Sequence, residues 1–391
     1  MATPGYGGWA EGLFKMCVGN ELGIRFDEGF DTDRLFNLAY GSFVVELAPG
    51  VSPEAPAGVF VEPFGTVVED YLWIVGDKGL DLADAEEAWK EPLAEVYPWE
   101  QAGKRVETVS HTTGGGMSAP AVKLARPHVV IPVFPGNNCE YDSAAAFERA
   151  GADVTTLVVN NLTPERVAES ARALVDEIRR SQIVMIPGGF SGGDEPDGSA
   201  KFITSFFRNP AVTEAVRDLL NARDGLMLGI CNGFQALVKL GLVPYGDIVD
   251  MSDECATLTF NTIGRHQSRL VRTRVASDLS PWLSKCAVGD VHTIAISHGE
   301  GRFVAPQALL DELVAKGQVA TQYVDEDGVP SLDLDVNPNG SMLAIEGITS
   351  PDGRVLGKMG HTERYTSGTY KNVDGNPYQP LFEGGVAYFA D

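Results

Sequence analysis

One cysteine of this chain stands in a setting that favours nucleophilic chemistry. Cys231 follows the apolar run 226–228, has Gly229 and Gly233 two residues away on either side, and precedes the helix-forming stretch 234–240. Strand, tight turn, nucleophile and helix in this order form a nucleophile elbow, here with cysteine in place of serine. The positive N-terminal end of the helix stabilises negative charge on the sulfur. A buried cysteine on a core strand is the alternative, and the paired glycines favour the nucleophile.

A cysteine nucleophile needs a base, and the base needs an orienting group. Among six histidines, His361 directly follows an apolar run and has Glu363 two residues later. Residues i and i+2 of an extended segment lie on the same side, so Glu363 is expected to hold His361 while the imidazole faces the cleft. His298, in a glycine-flanked loop at another strand end, is the competing base. It is equally interpreted as a substrate-lining residue or as a loop histidine with local hydrogen bonds.

An oxyanion hole needs backbone N–H groups that take no part in secondary structure. The glycine-rich run 187–193 follows a short apolar strand and could supply one donor, and the amide of Asn232 lies next to the nucleophile. The run lacks the GxxxxGK[ST] pattern of a P-loop, so it is not expected to bind phosphate. A glycine-rich turn without chemistry is the alternative interpretation.

The remaining cysteines carry a weaker signal. Cys139 also lies at a strand-to-helix turn but lacks close glycines on both sides, so we expect it to be structural or to line the pocket. Cys17, Cys255 and Cys286 have no catalytic context, and no group of residues has the spacing of zinc ligands. The sequence therefore predicts no metal and no cofactor in this chain.

Composition limits the partners and the compartment. The chain has 54 acidic and 30 basic side chains and a formal charge of −24, which repels nucleic acid and anionic lipid, so neither is expected as a partner. No apolar run approaches the ~20 residues of a membrane span, and the first residues lack the features of a signal peptide. Five cysteines without framework spacing predict a cytoplasmic location.

The elements that position these residues begin near residue 126. Apolar strands at 129–134, 154–159, 183–186 and 226–228 alternate with helices at 142–150, 164–180 and 234–240, and further strands are expected at 293–296, 342–345 and 355–359. This alternation predicts an α/β fold with a doubly wound, mostly parallel sheet and an active site at the C-terminal strand ends. Weak periodicity at 245–290 indicates an antiparallel excursion.

The first part of the chain has a different pattern and predicts a smaller α+β segment. Short β-like runs at 43–47, 59–61 and 71–75 are separated by Pro/Gly turns, with helices expected at 13–22 and 84–90. A loose stretch at 108–118 has the composition of a linker. We therefore predict two domains, at 1–118 and 119–391.

Several motifs occur together in the order seen in one enzyme family. The chain resembles triad-type (class I) glutamine amidotransferases, whose fold is flavodoxin-like, and more closely the C-terminal end of the phosphoribosylformylglycinamidine synthase family. The resemblance covers about 126–391 and rests on the motifs at 134–142, 188–194, 229–235, 297–302 and 357–364. A looser resemblance at 16–23 and 39–46 is to the tail of the synthetase half of the same family, with residues 51–118 joining the two parts.

The resemblance implies a glutaminase that supplies ammonia to a separate synthetase site, with glutamine as substrate. Cys231 is then the nucleophile, His361 the base and Glu363 its orienting group. The implied oxyanion donors are the amides of Gly189, Phe190 and Asn232, and the implied substrate contacts are Gln235, Gly188 and His298. The enzyme would be a carbon–nitrogen ligase of purine biosynthesis, with ATP and Mg²⁺ in a synthetase domain or subunit that this chain needs for full activity.

Two other functions are compatible with the same fold. A non-catalytic docking or regulatory module would keep the fold without turnover, although the intact Cys231, His361 and Glu363 argue against it. A stress-response or protease-like cysteine hydrolase is the third possibility, and the late His-x-Glu unit argues against that one. Labelling of Cys231 by a glutamine-analogue electrophile would separate these alternatives.

Overall fold

The computed structural model describes residues 1–52, 55–94, 105–113, 119–192 and 199–390. The chain divides into two compact units, Met1–Trp99 and Glu100–Asp391. Residues 105–113, which precede the predicted domain boundary at 118, hydrogen-bond within the second unit: the Val109 amide donates to Gln322 Oε1, and the His111 amide donates to the Ala276 carbonyl. The rest of the predicted linker, 114–118, lies outside the described residues.

The first unit is a small α+β fold. Its strands are β1 (Gly23–Phe26), β2 (Gly65–Val68), β3 (Leu72–Val75) and β4 (Lys78–Asp81), in the order β2-β1-β3-β4, and its helices are α1 (Gly8–Val18) and α2 (Leu82–Lys90). Two of the predicted strands are wrong: 43–47 contributes only one bridge, between Ala2 and Val44, and 59–61 is irregular. Their apolar side chains are largely exposed, so no buried face selects a strand there.

The second unit contains a nine-stranded sheet with the order β11-β10-β13-β14-β15-β8-β7-β5-β6 and a separate pair, β12-β9. Its strands are β5 (His128–Val133), β6 (Asp153–Val158), β7 (Ile183–Ile186), β8 (Leu226–Ile230), β9 (Thr257–Thr259), β10 (Gln267–Val275), β11 (Val291–His298), β12 (Arg302–Val304), β13 (Val319–Val324), β14 (Ile345–Thr349) and β15 (Val355–Lys358). Its helices are α3 (Glu140–Ala150), α4 (Pro164–Arg180), α5 (Lys201–Phe207), α6 (Pro210–Arg217), α7 (Asn232–Leu240), α8 (Leu242–Tyr245), α9 (Gln307–Ala315) and α10 (Leu381–Ala387).

Five neighbouring strands, β15-β8-β7-β5-β6, are parallel, and the other four extend the sheet in antiparallel order. The chain runs from β5 to β6 and then returns to β7 on the other side of β5. Because such crossovers are right-handed, this reversal places α3 and α4 on opposite faces of the sheet. The predicted α/β doubly wound fold is thereby confirmed, as is the antiparallel excursion that contains β10.

Local sequence explains why these elements form where they do. The run Val129–Ile131 of β5 is completely buried, as expected for a strand covered on both faces. Helix α4 begins at Pro164 after Thr163, whose side-chain oxygen accepts the Arg166 amide, so a capping residue and a first-turn proline fix its start. Within the described residues, no helix is long and apolar enough to cross a lipid bilayer.

Candidate active site

Cys231 forms the sharp turn between β8 and α7. Its φ of +53° and ψ of −105° lie in a region that non-glycine residues rarely adopt, which is the strain expected of a nucleophile elbow. The close packing around this turn requires Gly233, because a Cβ there would lie 1.9 Å from the Ile186 carbonyl oxygen. The Cys231 amide donates to the Lys358 carbonyl at 2.9 Å, which ties the elbow to the neighbouring strand β15.

His361 and Glu363 follow β15, so they lie at the same edge of the sheet as Cys231. In the parallel pairing of β8 with β15, Ile230 is opposite Lys358, and both strands end at that point. His361 Nδ1 donates to Glu363 Oε1 at 2.6 Å, and both side chains are about 1% exposed. The predicted pairing is present, but a short 3₁₀ turn at Thr362–Arg364 produces it rather than the extended segment expected from the sequence.

The charges of the site favour a protonated imidazole. Burial opposes charge on His361, but the charges of Glu363 and Cys231 outweigh it and hold the pKa of His361 well above its ordinary value of 6.5. Burial tends to raise the pKa of Glu363. The charge of His361 and its hydrogen bond lower this pKa by more than burial raises it, so the net shift is downward. In the part of the chain that the structure describes, His361 Nε2 has no hydrogen-bond partner. This nitrogen is therefore available to exchange a proton with a nucleophile or a substrate.

The absence of a side chain at Gly188 leaves room for the side chains of Cys231, Cys139 and His361 to lie close together. A Cβ at this position would lie 2.8 Å from His361 Cε1, 3.1 Å from Cys139 Sγ and 3.5 Å from Cys231 Cβ. Its carbonyl oxygen accepts the Asn138 amide at 3.3 Å. Gly188, predicted from the resemblance to contact substrate, thus lies between the nucleophile and the base, where any side chain would collide with the imidazole.

The structure corrects one of the three predicted oxyanion donors. The Phe190 amide donates to the Gly136 carbonyl at 2.9 Å, because the loop after β7 pairs with the loop after β5 through Asn137 and Gly189. The Phe190 amide is therefore already used. The Gly189 amide donates to no other residue that the structure describes, and its φ of +136° is accessible to glycine. The end of this motif, Gly193 and Asp194, lies outside the described residues.

Asn232 and Gln235 form a chain of buried amides under the elbow. Asn232, the other predicted oxyanion donor, begins α7, and its Oδ1 accepts the Ser191 amide at 3.2 Å. Its Nδ2 donates to Gln235 Oε1 at 2.9 Å, and Gln235 Nε2 donates to the Glu300 carbonyl at 2.6 Å. Both ends of the Gln235 amide make a hydrogen bond within the protein, which holds α7 against the neighbouring loops. Its contact with substrate stays a prediction, because the amide keeps a second N–H and a second lone pair.

His298 lies at the end of β11 and is held neutral. Burial, followed by the charge of His361, lowers the pKa of His298 to about 3, so it is a poor proton acceptor at neutral pH. Its Nδ1 lies 3.2 Å from Asn261 Oδ1, which also accepts the Gly301 amide. The preceding residue contributes its carbonyl oxygen 3.7 Å from Cys231 Sγ. These contacts favour His361 as the base and leave His298 a buried residue beside the site.

Two buried histidines predict a loss of stability in mild acid. Burial lowers the pKa of His292 to about 4, and that of His298 to about 3, from an ordinary 6.5. Between pH 6.5 and the folded-state pKa of each histidine, the unfolded chain binds a proton that the folded chain excludes. Within this window the free energy of unfolding therefore falls by ~1.4 kcal/mol for each unit by which the pH is lowered, for each group. His361 adds no slope in this window because its raised pKa keeps it protonated in both states.

Urea unfolding at several pH values between about 6.5 and 4.5 measures this slope. The variant His292→Gln carries a side chain that does not titrate, so its stability should fall less steeply than that of the wild type. A slope equal to the wild-type slope would show that His292 is protonated in the folded protein.

Comparison with known proteins identifies the family. The family model described as the CobB/CobQ-like glutamine amidotransferase domain matches residues 126–389. The chain belongs to this family. The amidotransferase domain therefore contains every residue of the site described above. The match begins at residue 126, so it does not cover the four-stranded first unit.

Relatives of this amidotransferase domain are subunits of one enzyme. The phosphoribosylformylglycinamidine synthase subunit PurQ of Cereibacter sphaeroides is 36% identical over 257 residues, 66% of this chain and 97% of that subunit. The subunit of the same name from Gloeobacter violaceus is also 36% identical over 257 residues, 66% of this chain and 96% of the subunit. The solved structure of PurLQS from Thermotoga maritima covers 67% of this chain and 99% of that one, with 24% identity and a TM-score of 0.49.

A buried ion pair beneath the amidotransferase site was not predicted. Lys358 Nζ lies 3.7 Å from Glu346 Oε1, and both side chains are almost completely buried. Glu346 Oε1 also accepts the Gly360 amide at 2.6 Å, and Lys358 donates to Thr362 Oγ1 at 2.8 Å. The pair thus holds the Gly360 backbone before His361 and the Thr362 side chain after it. Its sequence signal is one acidic and one basic residue within two otherwise apolar strands that are neighbours in the sheet.

Proposed function

We propose that this chain hydrolyses glutamine through a cysteine thioester and supplies the ammonia to a synthetase partner. The observation that carries the proposal is the His361–Glu363 pair at the end of β15, beside Cys231 at the end of β8. Three buried side chains with these chemistries at one sheet edge suit acyl transfer from an amide.

The proposed reaction begins when His361 Nε2 takes the proton of the Cys231 thiol and the sulfur attacks the side-chain amide carbon of glutamine. Negative charge then develops on the carbonyl oxygen, where the amides of Gly189 and Asn232 would stabilise it. His361 gives its Nε2 proton to the amide nitrogen, so that ammonia leaves and a γ-glutamyl thioester remains. His361 next takes a proton from water, and the resulting hydroxide attacks the thioester to release glutamate. Glu363 keeps the Nδ1 proton in place throughout.

We further propose that the ammonia is used in purine biosynthesis. The resemblance to the synthase family implies that formylglycinamide ribonucleotide accepts it, with ATP converted to ADP and phosphate. ATP and Mg²⁺ would be bound by the synthetase domain or subunit rather than by this chain. The looser resemblance at 16–23 and 39–46 supports a first unit derived from the tail of a synthetase half, and a cytoplasmic location fits this pathway.

The test is glutamate release from glutamine by the purified chain, alone and with a synthetase partner, ATP and the ribonucleotide. We expect weak hydrolysis alone and an increase of about tenfold or more in the complete mixture, within the usual range of coupling between sites. Equal turnover in the two conditions would contradict the coupling. No turnover in either would favour the non-catalytic docking module, and turnover of peptides instead of glutamine would favour a protease-like hydrolase.

A further inference from the structure

Cys139 lies beside the His361–Glu363 pair without a part in the reaction proposed above. One ligand atom from each of Cys139, His361 and Glu363 lies within 4.8 Å of the other two, and all three side chains are buried. Cys139 Sγ is 3.8 Å from His361 Nδ1, the nitrogen that bonds to Glu363 Oε1 at 2.6 Å. Sulfur, imidazole nitrogen and carboxylate oxygen thus surround a single point.

Folding creates this cluster from distant parts of the chain. Cys139 ends the loop between β5 and α3, whereas His361 and Glu363 follow β15. The expectation of no metal site rested on the absence of ligand spacing in the sequence, and it could not detect ligands contributed by separate loops. A second observation also points to a ligand: Glu363 Oε2 is buried and has no hydrogen-bond partner among the described residues.

The donor set selects the type of ion. Thiolate and imidazole favour zinc and similar soft cations over magnesium or calcium. Three protein ligands with one open position are typical of exchangeable and catalytic zinc sites, whereas structural sites have four protein ligands. Metal–ligand bonds of about 2.0–2.3 Å require ligand atoms about 3.3–3.7 Å apart. The Sγ–Nδ1 distance of 3.8 Å is slightly above this range. The Nδ1–Oε1 distance of 2.6 Å lengthens when a metal replaces the proton that the two atoms share.

We propose that Cys139, His361 and Glu363 bind a zinc ion or a similar soft divalent cation, and that binding stops glutamine hydrolysis. Binding forms metal bonds to sulfur, nitrogen and oxygen and releases the thiol proton of Cys139 and the Nδ1 proton of His361. The imidazole is then fixed by the metal and can no longer accept and return a proton. The inhibition rests on the proposed glutaminase activity, whereas metal binding does not.

Arg364 is the charged group that faces the cluster from the same turn. Its Nη2 donates to Cys139 Sγ at 3.4 Å. This hydrogen bond can persist when the sulfur is bound to a metal, as an outer contact that orients the ligand. Once bound, the two anionic ligands, Cys139 and Glu363, balance the charge of the divalent ion. The positive guanidinium of Arg364 weakens the attraction between these ligands and the ion but does not abolish it.

Metal binding is tested first, without any assay of activity. Zinc is titrated against a chromophoric chelator, and cobalt is added to look for the absorption band of a cobalt–thiolate bond. We expect one equivalent to bind to the wild type, to Cys231→Ala and to the control Cys255→Ala. Cys139→Ala and Cys139→Ser should bind about a hundredfold or more weakly and lack the band, because an inner ligand is lost. Serine keeps the size of the side chain if alanine disturbs folding.

Inhibition is then measured against the metal-free rate of each variant. Zinc should inhibit the wild type and Cys255→Ala, a chelator should restore the rate, and Cys139→Ser should require about a hundredfold more zinc. Loss of zinc binding in Cys231→Ala, with binding retained in Cys139→Ser, would place the metal on the nucleophile and overturn the proposal. A wild type that binds zinc through Cys139 but never hydrolyses glutamine would support the metal site and reject the proposed function.

Discussion

Replacing Cys231 with alanine is expected to lower glutamate release from glutamine by roughly three orders of magnitude or more, because it removes the covalent route. The change deletes one sulfur from a turn that is otherwise held by backbone contacts, including the Cys231 amide bond to Lys358. We therefore expect a folded protein whose circular dichroism matches that of the wild type. The rate is measured with the synthetase partner present, so that a low basal rate does not hide the loss.

Cys255→Ala is the matched control, since Cys255 is also a free cysteine but lies outside the site. A glutamine-analogue electrophile should form one covalent adduct, seen as one mass increment, with the wild type and with Cys255→Ala. It should form none with Cys231→Ala. If Cys231→Ala kept most of the wild-type rate, another group would have to be the nucleophile.

The second large effect is expected for Glu363→Gln, with a fall in kcat of about a hundredfold to ten-thousandfold. Glutamine has nearly the same shape, but its uncharged amide stabilises a protonated His361 far less than the carboxylate does. The pKa of His361 is held up by the charge of Glu363, so it should drop in the variant. Activity that needs the imidazolium as a proton donor is lost as pH rises through this pKa. The alkaline limb of the kcat profile should therefore move to lower pH.

Glu312→Gln on α9 is the control, because Glu312 is an exposed carboxylate that pairs with Lys316 in the next helical turn. It should leave both the rate and the pH profile unchanged. A lower rate in Glu363→Gln with an unmoved alkaline limb would mean that Glu363 only shapes the loop. The His361→Asn variant then shows whether the imidazole itself is needed.

Local sequence was sufficient to predict the sharp turn at Cys231 and its surroundings. The elbow depends on glycines and a helix start within a few residues of Cys231, and the start of α4 follows from Thr163 and Pro164. The His361–Glu363 pair was also predictable, since its members are two residues apart. Their conformation was not, because the turn at Thr362 is set by contacts such as the bond of the His361 amide to the Ala295 carbonyl.

Features that depend on distant pairing escaped prediction. The Phe190 amide is consumed by Gly136, which lies on another loop, and only the folded sheet brings these loops together. Strand β13 was missed because its sequence mixes polar and apolar residues, although all six of its positions are buried in the middle of the sheet. The contact of Cys139 with His361 has the same origin, since two loops far apart in sequence end at one sheet edge.

The place of β15 in the sheet has a consequence for how the protein is made. This strand lies between β14 and β8, yet β8 is translated long before it. On the ribosome the growing chain therefore exposes Cys231 while the histidine that would use it does not yet exist. Insertion of β15 closes the sheet and delivers His361 in the same event. Chains that stall before this step carry Cys231 without His361, so the pairing of these two residues depends on synthesis past β15.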